Sequence, residues 1–268
     1  MRGSFSRADP YRMYDSDTPA LRGFADPAGK TLVHPGIVAG EDTAVIVIIG
    51  QSNAGNHASG SHAATNASKV QNFNPYNGGV YLAVDPLLGC TGRPVDPETA
   101  NWPIWLGDAL INANDFDRVI FVNVAIAGTK IADWAPGGLY NDRVSILVSR
   151  LAAVGLTPTV ILQHLGESDG TGGTSQAAFQ ASQLALVAQW RALGVSCPYL
   201  VGQSTWVTGT VNATVRAACA AVVGTNGIFA GADADSLNGT NRRDNTHWNQ
   251  TGCAAVAALW RTKILAAL

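Results

Sequence analysis

The sequence predicts an α/β fold built on a parallel sheet, and three observations predict it. Short, continuous, β-branched runs recur along the chain; helical patterns lie between them; and a polar cluster follows most of the runs. Continuous apolar runs fit strands that are covered on both faces, as parallel strands are. Alternation of such strands with helices implies βαβ units with right-handed crossovers.

The elements follow in chain order. Residues 1 to 40 are rich in Pro, Gly, Asp and Arg without a clear period, and they are expected to form an irregular N-terminal arm. The domain proper is expected over 41–268. Its first strand is Thr43 to Ile49 (TAVIVII), ending at Gly50. Gly55 to Asp96 fits no element and is expected to be a long loop insertion over the sheet, the kind of segment that shapes binding sites. Further strands are expected at Arg118 to Val124, Thr159 to Leu162 and Tyr199 to Gly202, with a weaker fifth at Gly227 to Ala230. Helices are expected over Ile104–Asn114, Asp142–Val154, Thr174–Leu193, Val211–Val223 and Gly252–Leu268, the third capped by Thr174 or Ser175.

Composition narrows the function classes. The 268 residues are 47% apolar but only 13% charged, and the net charge is −2. A disordered chain is normally charged and poor in apolar residues. No basic excess marks a nucleic-acid or anionic-membrane partner. No apolar run approaches the length of about 20 residues that spans a bilayer. The first residues, MRGSFSRADPYRMYDSDTPALRG, contain no apolar signal-peptide core, and the Gly-, Ala-, Thr- and Asn-rich composition favours an exported over a cytoplasmic protein. Cys90, Cys197, Cys219 and Cys253 are scattered, with no CxxC pair, so a thiolate zinc site is not expected. His57 and His62 share one loop but have no carboxylate at ligand spacing, so no metal and no cofactor is expected. Gly170 to Thr174 resembles a phosphate loop in composition only, lacking the following Lys.

In an open α/β sheet, ligands bind at the carboxyl ends of the strands. The clusters there are Gly50-Gln51-Ser52-Asn53, then Ala125 to Thr129, Gln163 to Asp169, and Gln203 to Trp206. Asp244-Asn245-Thr246-His247 comes near the chain end. A serine hydroxyl is a poor nucleophile until a base takes its proton. An Asp three residues before a His can accept the Nδ1 proton and leave Nε2 facing outward. Each motif also has a structural reading: GQSN as a polar turn, D-x-x-H as a capped loop before the last helix. Their convergence on one sheet edge favours catalysis. An α/β-hydrolase is the rival fold, because Gly50 to Ala54 nearly matches its G-x-S-x-G elbow. That nucleophile normally follows several strands, whereas Ser52 follows the first.

These blocks carry a resemblance. I-I-G-Q-S-N at 48–53, the A-G pair at 127–128, G-E-S-D at 166–169 and D-N-T-H at 244–247 resemble the SGNH (GDSL-like) hydrolases, in particular their sialate O-acetylesterase-like and acetyl xylan esterase-like branch. The resemblance implies a flavodoxin-like five-stranded parallel sheet in a three-layer α/β/α sandwich. It also implies hydrolysis of acetyl or other short acyl esters on a small-molecule or glycan substrate, without a cofactor. Ser52 would be the nucleophile, His247 the base and Asp244 its orienting acid. The N–H groups of Ser52 and Gly128 would line the oxyanion hole. Gln51, Asn53, Glu167 and Trp248 are the expected substrate contacts.

One departure matters. Where relatives read Trp-x-Gln-Gly-Glu, this chain reads Gln163-His164-Leu165-Gly166-Glu167, and Leu165 has no donor. Losing one oxyanion donor costs roughly 3–4 kcal/mol. Ser168, His164 and Gln163 are the candidate replacements. Leu165 also admits a weakened glycan-binding module of the same fold, and the site itself admits a general short-chain or aryl esterase. Trp134, Trp206 and Trp248 follow functional blocks and are candidates for a sugar platform, with the core as the alternative for each.

Overall fold

The computed structural model describes residues 25–34, 36, 40–92 and 99–268. Most of the expected N-terminal arm (1–24, 35 and 37–39) and residues 93–98, which include the end of the expected insertion, lie outside the described residues. The strands are β1 (Leu32–Val33), β2 (Thr43–Gly50), β3 (Val70–Phe73), β4 (Val80–Leu82), β5 (Arg118–Asn123), β6 (Val160–His164), β7 (Tyr199–Gln203) and β8 (Ile228–Asp233). The α-helices are α1 (Pro103–Asn112), α2 (Ile131–Trp134), α3 (Asp142–Ala153), α4 (Glu167–Thr171), α5 (Gln176–Ala192), α6 (Ala213–Ala221) and α7 (Gln250–Ala267).

One sheet of order β1-β4-β3-β5-β2-β6-β7-β8 runs through the molecule. The five strands expected from sequence are β2, β5, β6, β7 and β8. They are mutually parallel in the order second-first-third-fourth-fifth, the flavodoxin-like order. The sheet is wider than the five strands expected. β3 adds a parallel strand beside β5, and β4 and β1 extend it antiparallel. Both β3 and β4 fall inside the segment expected to be loop. Their sequences are short, and β3 (VQNF) carries Gln71 and Asn72 at buried positions, which breaks the apolar signal. Asn72 is tolerated there because its Nδ2 donates to the carbonyls of Phe73, Leu88 and Phe121.

The alternation of β2 explains the layers. Val45, Val47 and Ile49 face one core, which they share with Leu147 and Leu151 of α3, Phe179 and Trp190 of α5, and Val215 of α6. Ala44, Ile46 and Ile48 face the other, with Leu106 and Leu110 of α1 and Val256 and Trp260 of α7. Successive side chains of a strand point to opposite faces, so a strand apolar at every position must be covered twice. Burial of each Val, Leu or Ile there is worth about 1.5–3 kcal/mol. The long helix α5 starts where the Ser175 hydroxyl accepts a bond from the Ala178 N–H, at 3.2 Å.

β2 lies between β5 and β6, which follow it in sequence, so the chain crosses to opposite sides of β2. The carboxyl end of β2 is therefore the switch point where such sheets bind ligands.

Candidate active site

Gly50 ends β2 at that point. A Cβ there would lie 2.2 Å from the His164 carbonyl oxygen and 2.6 Å from Ala54 Cβ, so only glycine lets β2 approach β6 and turn at once. The turn is a single 3₁₀ turn over Ser52–Ala54, closed by the Ala54 N–H donating to the Gln51 carbonyl at 2.9 Å. It lifts Ser52 to half-burial at the sheet edge, while Gln51 and Asn53 on either side are buried.

The D-N-T-H segment closes on itself. Asp244 Oδ1 accepts from the N–H groups of Thr246 (3.0 Å) and His247 (2.7 Å). Asn245 takes a φ of 58°, a left-handed conformation that Asn adopts more readily than most residues. Asp244 Oδ2 faces His247 Nδ1 at 2.8 Å, and His247 Nε2 faces Ser52 Oγ at 3.1 Å. An ionised carboxylate only accepts, so the histidine proton sits on Nδ1 and Nε2 offers its lone pair to the Ser52 hydroxyl. Partial burial of Asp244 raises its pKa, but bonds from the His247 N–H, the His247 ring and the Thr246 N–H win, bringing it to about 2. The carboxylate therefore stays charged through the whole working pH range. Serine, imidazole and carboxylate stand in the order that transfers a proton from Oγ to Nε2 with the resulting imidazolium stabilised.

Asn53 sets the spacing of this trio. Its Nδ2 donates to the Thr246 carbonyl (3.2 Å), and its Oδ1 accepts from the Trp248 N–H (3.3 Å). The residue after Ser52 thus grips the chain immediately before and after His247. The same Nδ2 donates to Glu167 Oε1 at 2.9 Å, and Ser204 Oγ donates to that oxygen at 2.8 Å. Arg242, buried beneath, donates to the carbonyls of Ala234, Leu237 and Thr246 and lies 3.6 Å from the Trp248 ring centroid. We expect Asn53→Ala to lower kcat by roughly tenfold to a hundredfold, with a smaller change in KM, because a displacement of about 1 Å at a reacting pair has that scale. Steady-state kinetics on an activated acetyl ester check it; an unchanged kcat would remove Asn53 from the positioning role.

The residues expected to contact substrate are placed differently. Gln51, Asn53, Glu167 and Trp248 are 3%, 1%, 3% and 1% exposed, and each is held by hydrogen bonds to the protein, with Glu167 engaged through Oε1 alone. Gln51 Oε1 accepts from the Ser168 N–H at 3.1 Å, and Trp248 Nε1 donates to the Asn53 carbonyl at 3.1 Å. These four side chains frame the site from beneath and do not line it. Of the expected oxyanion donors, the N–H groups of Ser52 and Gly128 have no hydrogen-bond partner among the described residues. Gly128 is exposed, with a φ of 77°. Ser168 is half-buried at the start of α4, tethered to Gln51 through its backbone, and its hydroxyl has no partner among the described residues.

The other two candidate donors point away. Gln163 is fully buried and bonds to Gln183 (2.6 Å) and the Tyr199 hydroxyl (2.7 Å) on the α5 side. His164 is fully buried on the opposite face, about 6 Å from the rings of Trp102, Trp248 and Trp260. Burial, with a lesser contribution from Arg242, pushes the His164 pKa down to about 3, so it stays neutral. Leu165 is fully buried in the core that contains Val215. Trp134 and Trp248 are core residues, while Trp206 is half-buried with Nε1 donating to the Asn245 carbonyl at 2.9 Å.

Sequence reasoning weighed His57 only as a metal ligand and did not place it, or Arg242, beside the trio. The His57 ring stacks on His247 with centroids 5.8 Å apart and an interplanar angle of 21°. The signal for Arg242 was present: an Arg pair immediately before D-x-x-H in a chain so poor in charge. The two loop histidines pack on different rings, His57 on His247 and His62 on Trp105, and His62 bonds to Asp108 at 2.7 Å. Among the described residues no cluster of three or more His, Cys, Asp or Glu is placed to hold a metal, and no helix is long and apolar enough to cross a membrane.

A family model described as carbohydrate esterase, sialic acid-specific acetylesterase, matches residues 42–265. The chain belongs to this carbohydrate esterase family. It is a carboxylic ester hydrolase, of the SGNH kind that its blocks resemble. No curated protein matches this esterase in sequence. Among solved structures, it is similar to an Arabidopsis thaliana protein with a TM-score of 0.65 at 18% identity, over 84% of this chain and 98% of that one. It is also similar to a carbohydrate acetylesterase from Xanthomonas citri, with a TM-score of 0.58 at 16% identity, over 81% of this chain and 55% of that one. At these identities the likeness speaks for the fold.

Proposed function

We propose that the esterase removes acetyl groups from carbohydrate hydroxyls through a covalent acyl-enzyme. The Ser52 Oγ attacks the ester carbonyl as its proton passes to His247 Nε2. The N–H groups of Ser52 and Gly128, with the Ser168 hydroxyl as third donor, hold the developing oxyanion. The imidazolium gives its proton to the departing sugar oxygen, and an acetyl group remains on Ser52. Water then attacks that ester, again with His247 as base, releasing acetate and restoring the hydroxyl. Asp244 holds the Nδ1 tautomer and stabilises the imidazolium in both halves.

The observation that carries this reading is the continuous contact Asp244 Oδ2 to His247 Nδ1 at 2.8 Å and His247 Nε2 to Ser52 Oγ at 3.1 Å. The family match supplies the ester on a carbohydrate. A fluorophosphonate should leave a single adduct, and peptide mass analysis should place it on Ser52. A series of p-nitrophenyl esters should peak at two carbons. Labelling elsewhere would remove the nucleophile assignment, and an optimum at eight carbons or more would defeat the acetyl reading.

A further inference from the structure

Five of the seven tryptophans, Trp102, Trp134, Trp190, Trp248 and Trp260, are fully buried. Only Trp105 and Trp206 keep exposed surface, and Trp206 spends its N–H on the Asn245 carbonyl. Trp105 lies on α1, and its Nε1–H has no partner among the described residues. It lines an open, shallow cavity of about 320 Å³ between α1, α7 and the loop that carries His62 and Thr65. Ligand pockets start at about 300 Å³, so one sugar ring fits.

The walls of this cavity suit a pyranose. One side is a patch of small residues on α7, Ala254, Ala257 and Ala258, flat enough for the C–H face of a ring. The His62 ring stacks on Trp105 with centroids 4.5 Å apart at 18°, which fixes the plane of both. Asp108 accepts from His62 Nε2, which leaves Nδ1 as the unprotonated nitrogen of the neutral ring and an acceptor on a residue that lines the cavity. Asn112 accepts from the Asn66 amide through Oδ1, and its own Nδ2 is left to donate. An apolar floor with a few converging donors and acceptors is how small-molecule sites are built. The lining carboxylate, Asp108, is already saturated by the N–H groups of Thr65 and Asn66, the Asn66 amide and His62. Its charge disfavours an anionic sugar.

The cavity is mechanically joined to the reaction centre. The segment that ends at His62 begins at His57, whose ring packs on His247. Between them the Ser59 N–H donates to the Trp248 carbonyl and Gln250 Nε2 to the Ser61 carbonyl. Five residues of extended chain span at most about 18 Å, which bounds the separation of His57 at the reaction centre from His62 at the cavity.

We infer that the Trp105–His62–Asn112 cavity is a distal subsite for a neutral pyranose, holding the glycan whose acetyl group is presented to Ser52. The inference rests on the carbohydrate reading proposed above, and direct binding separates the two. Calorimetric titration of the full chain with an unacetylated β-1,4-linked xylose hexamer, with an α-linked sialic acid oligomer as the anionic arm, tests it. The xylose hexamer should bind and the sialic acid oligomer should not. Trp105→Ala should weaken binding about tenfold, the scale of truncating a central aromatic anchor. Ala258→Arg, at an exposed helix position, should weaken it as much by filling the cavity while leaving the core packing intact; thermal melting confirms the fold of each. Wild-type affinity in both folded variants, or no hexamer binding by the wild type at millimolar concentration, would overturn the subsite even where ester turnover is normal. Hexamer binding that depends on Trp105, in a protein without serine-dependent turnover, would leave the subsite standing and remove the reaction.

Discussion

Replacing Ser52 with alanine is expected to lower kcat on an acetyl ester by about a millionfold, and replacing Asp244 with asparagine by about ten-thousandfold. Both magnitudes are those of serine triads in unrelated folds. The two variants fail for different reasons. Alanine at 52 removes the atom that forms the acyl bond, so His247 has nothing to deprotonate. Asparagine at 244 can still accept through one atom but presents an N–H₂ where the carboxylate had an oxygen. That favours the wrong tautomer of His247, with the proton on Nε2 facing Ser52. The double variant should be barely worse than Ser52→Ala, because the residues act as a unit. Burst kinetics with p-nitrophenyl acetate read all three. Retention of more than about a tenth of turnover in Ser52→Ala would transfer the chemistry to another group.

The fold and the trio were legible in the sequence for the same physical reason. A parallel strand covered on both faces must be apolar at every position, so TAVIVII and RVIFVN announce themselves. The sites at their ends must then be polar. β3 escaped because a strand toward the sheet edge can carry Gln71 and Asn72 if their amides find partners. The roles of Asn53, Glu167 and Trp248 escaped differently. Sequence proximity to Ser52 or His247 places a residue in the neighbourhood, but it does not reveal which way the side chain turns. Asn53 turns inward and bridges the two halves of the site, a contact between residues 193 apart in sequence that no local pattern encodes. The placement of the third-block candidates is similar. Strand alternation sends Gln163 and His164 to opposite cores, and only Ser168, past the strand end, stays at the edge.

Beneath the trio, a buried carboxyl makes the protein's stability depend on pH. Burial raises the Glu167 pKa from 4.5 to about 7, against the opposing bonds from Asn53 and Ser204 and the charge of Arg242. Its Oε2 has no hydrogen-bond partner among the described residues, so the ionised form is undercompensated. Between pH 4.5 and 7 the folded protein then holds a proton that the unfolded chain releases. Stability contributed by this group is complete below pH 4.5 and is lost as pH rises through 7. A displacement of that size corresponds to about 3 kcal/mol. Glu167→Gln keeps an oxygen for Asn53 and Ser204 and cannot ionise. The stability of the variant relative to wild type should therefore rise by about 3 kcal/mol from pH 4.5 to pH 8, whatever constant offset the new amide adds. His164 works in the opposite direction, since its lowered pKa removes stability as pH falls from 6.5 toward 3, but it is present in both proteins and cancels. Denaturant titrations at several pH values read the difference. Parallel stability profiles for the two proteins would mean that Glu167 is ionised throughout, with Arg242 as its full counter-charge. A difference that is constant below pH 4.5 and grows by about 3 kcal/mol toward pH 8 would identify Glu167 as a neutral acid that holds Asn53, and through it the loop of His247, below pH 7.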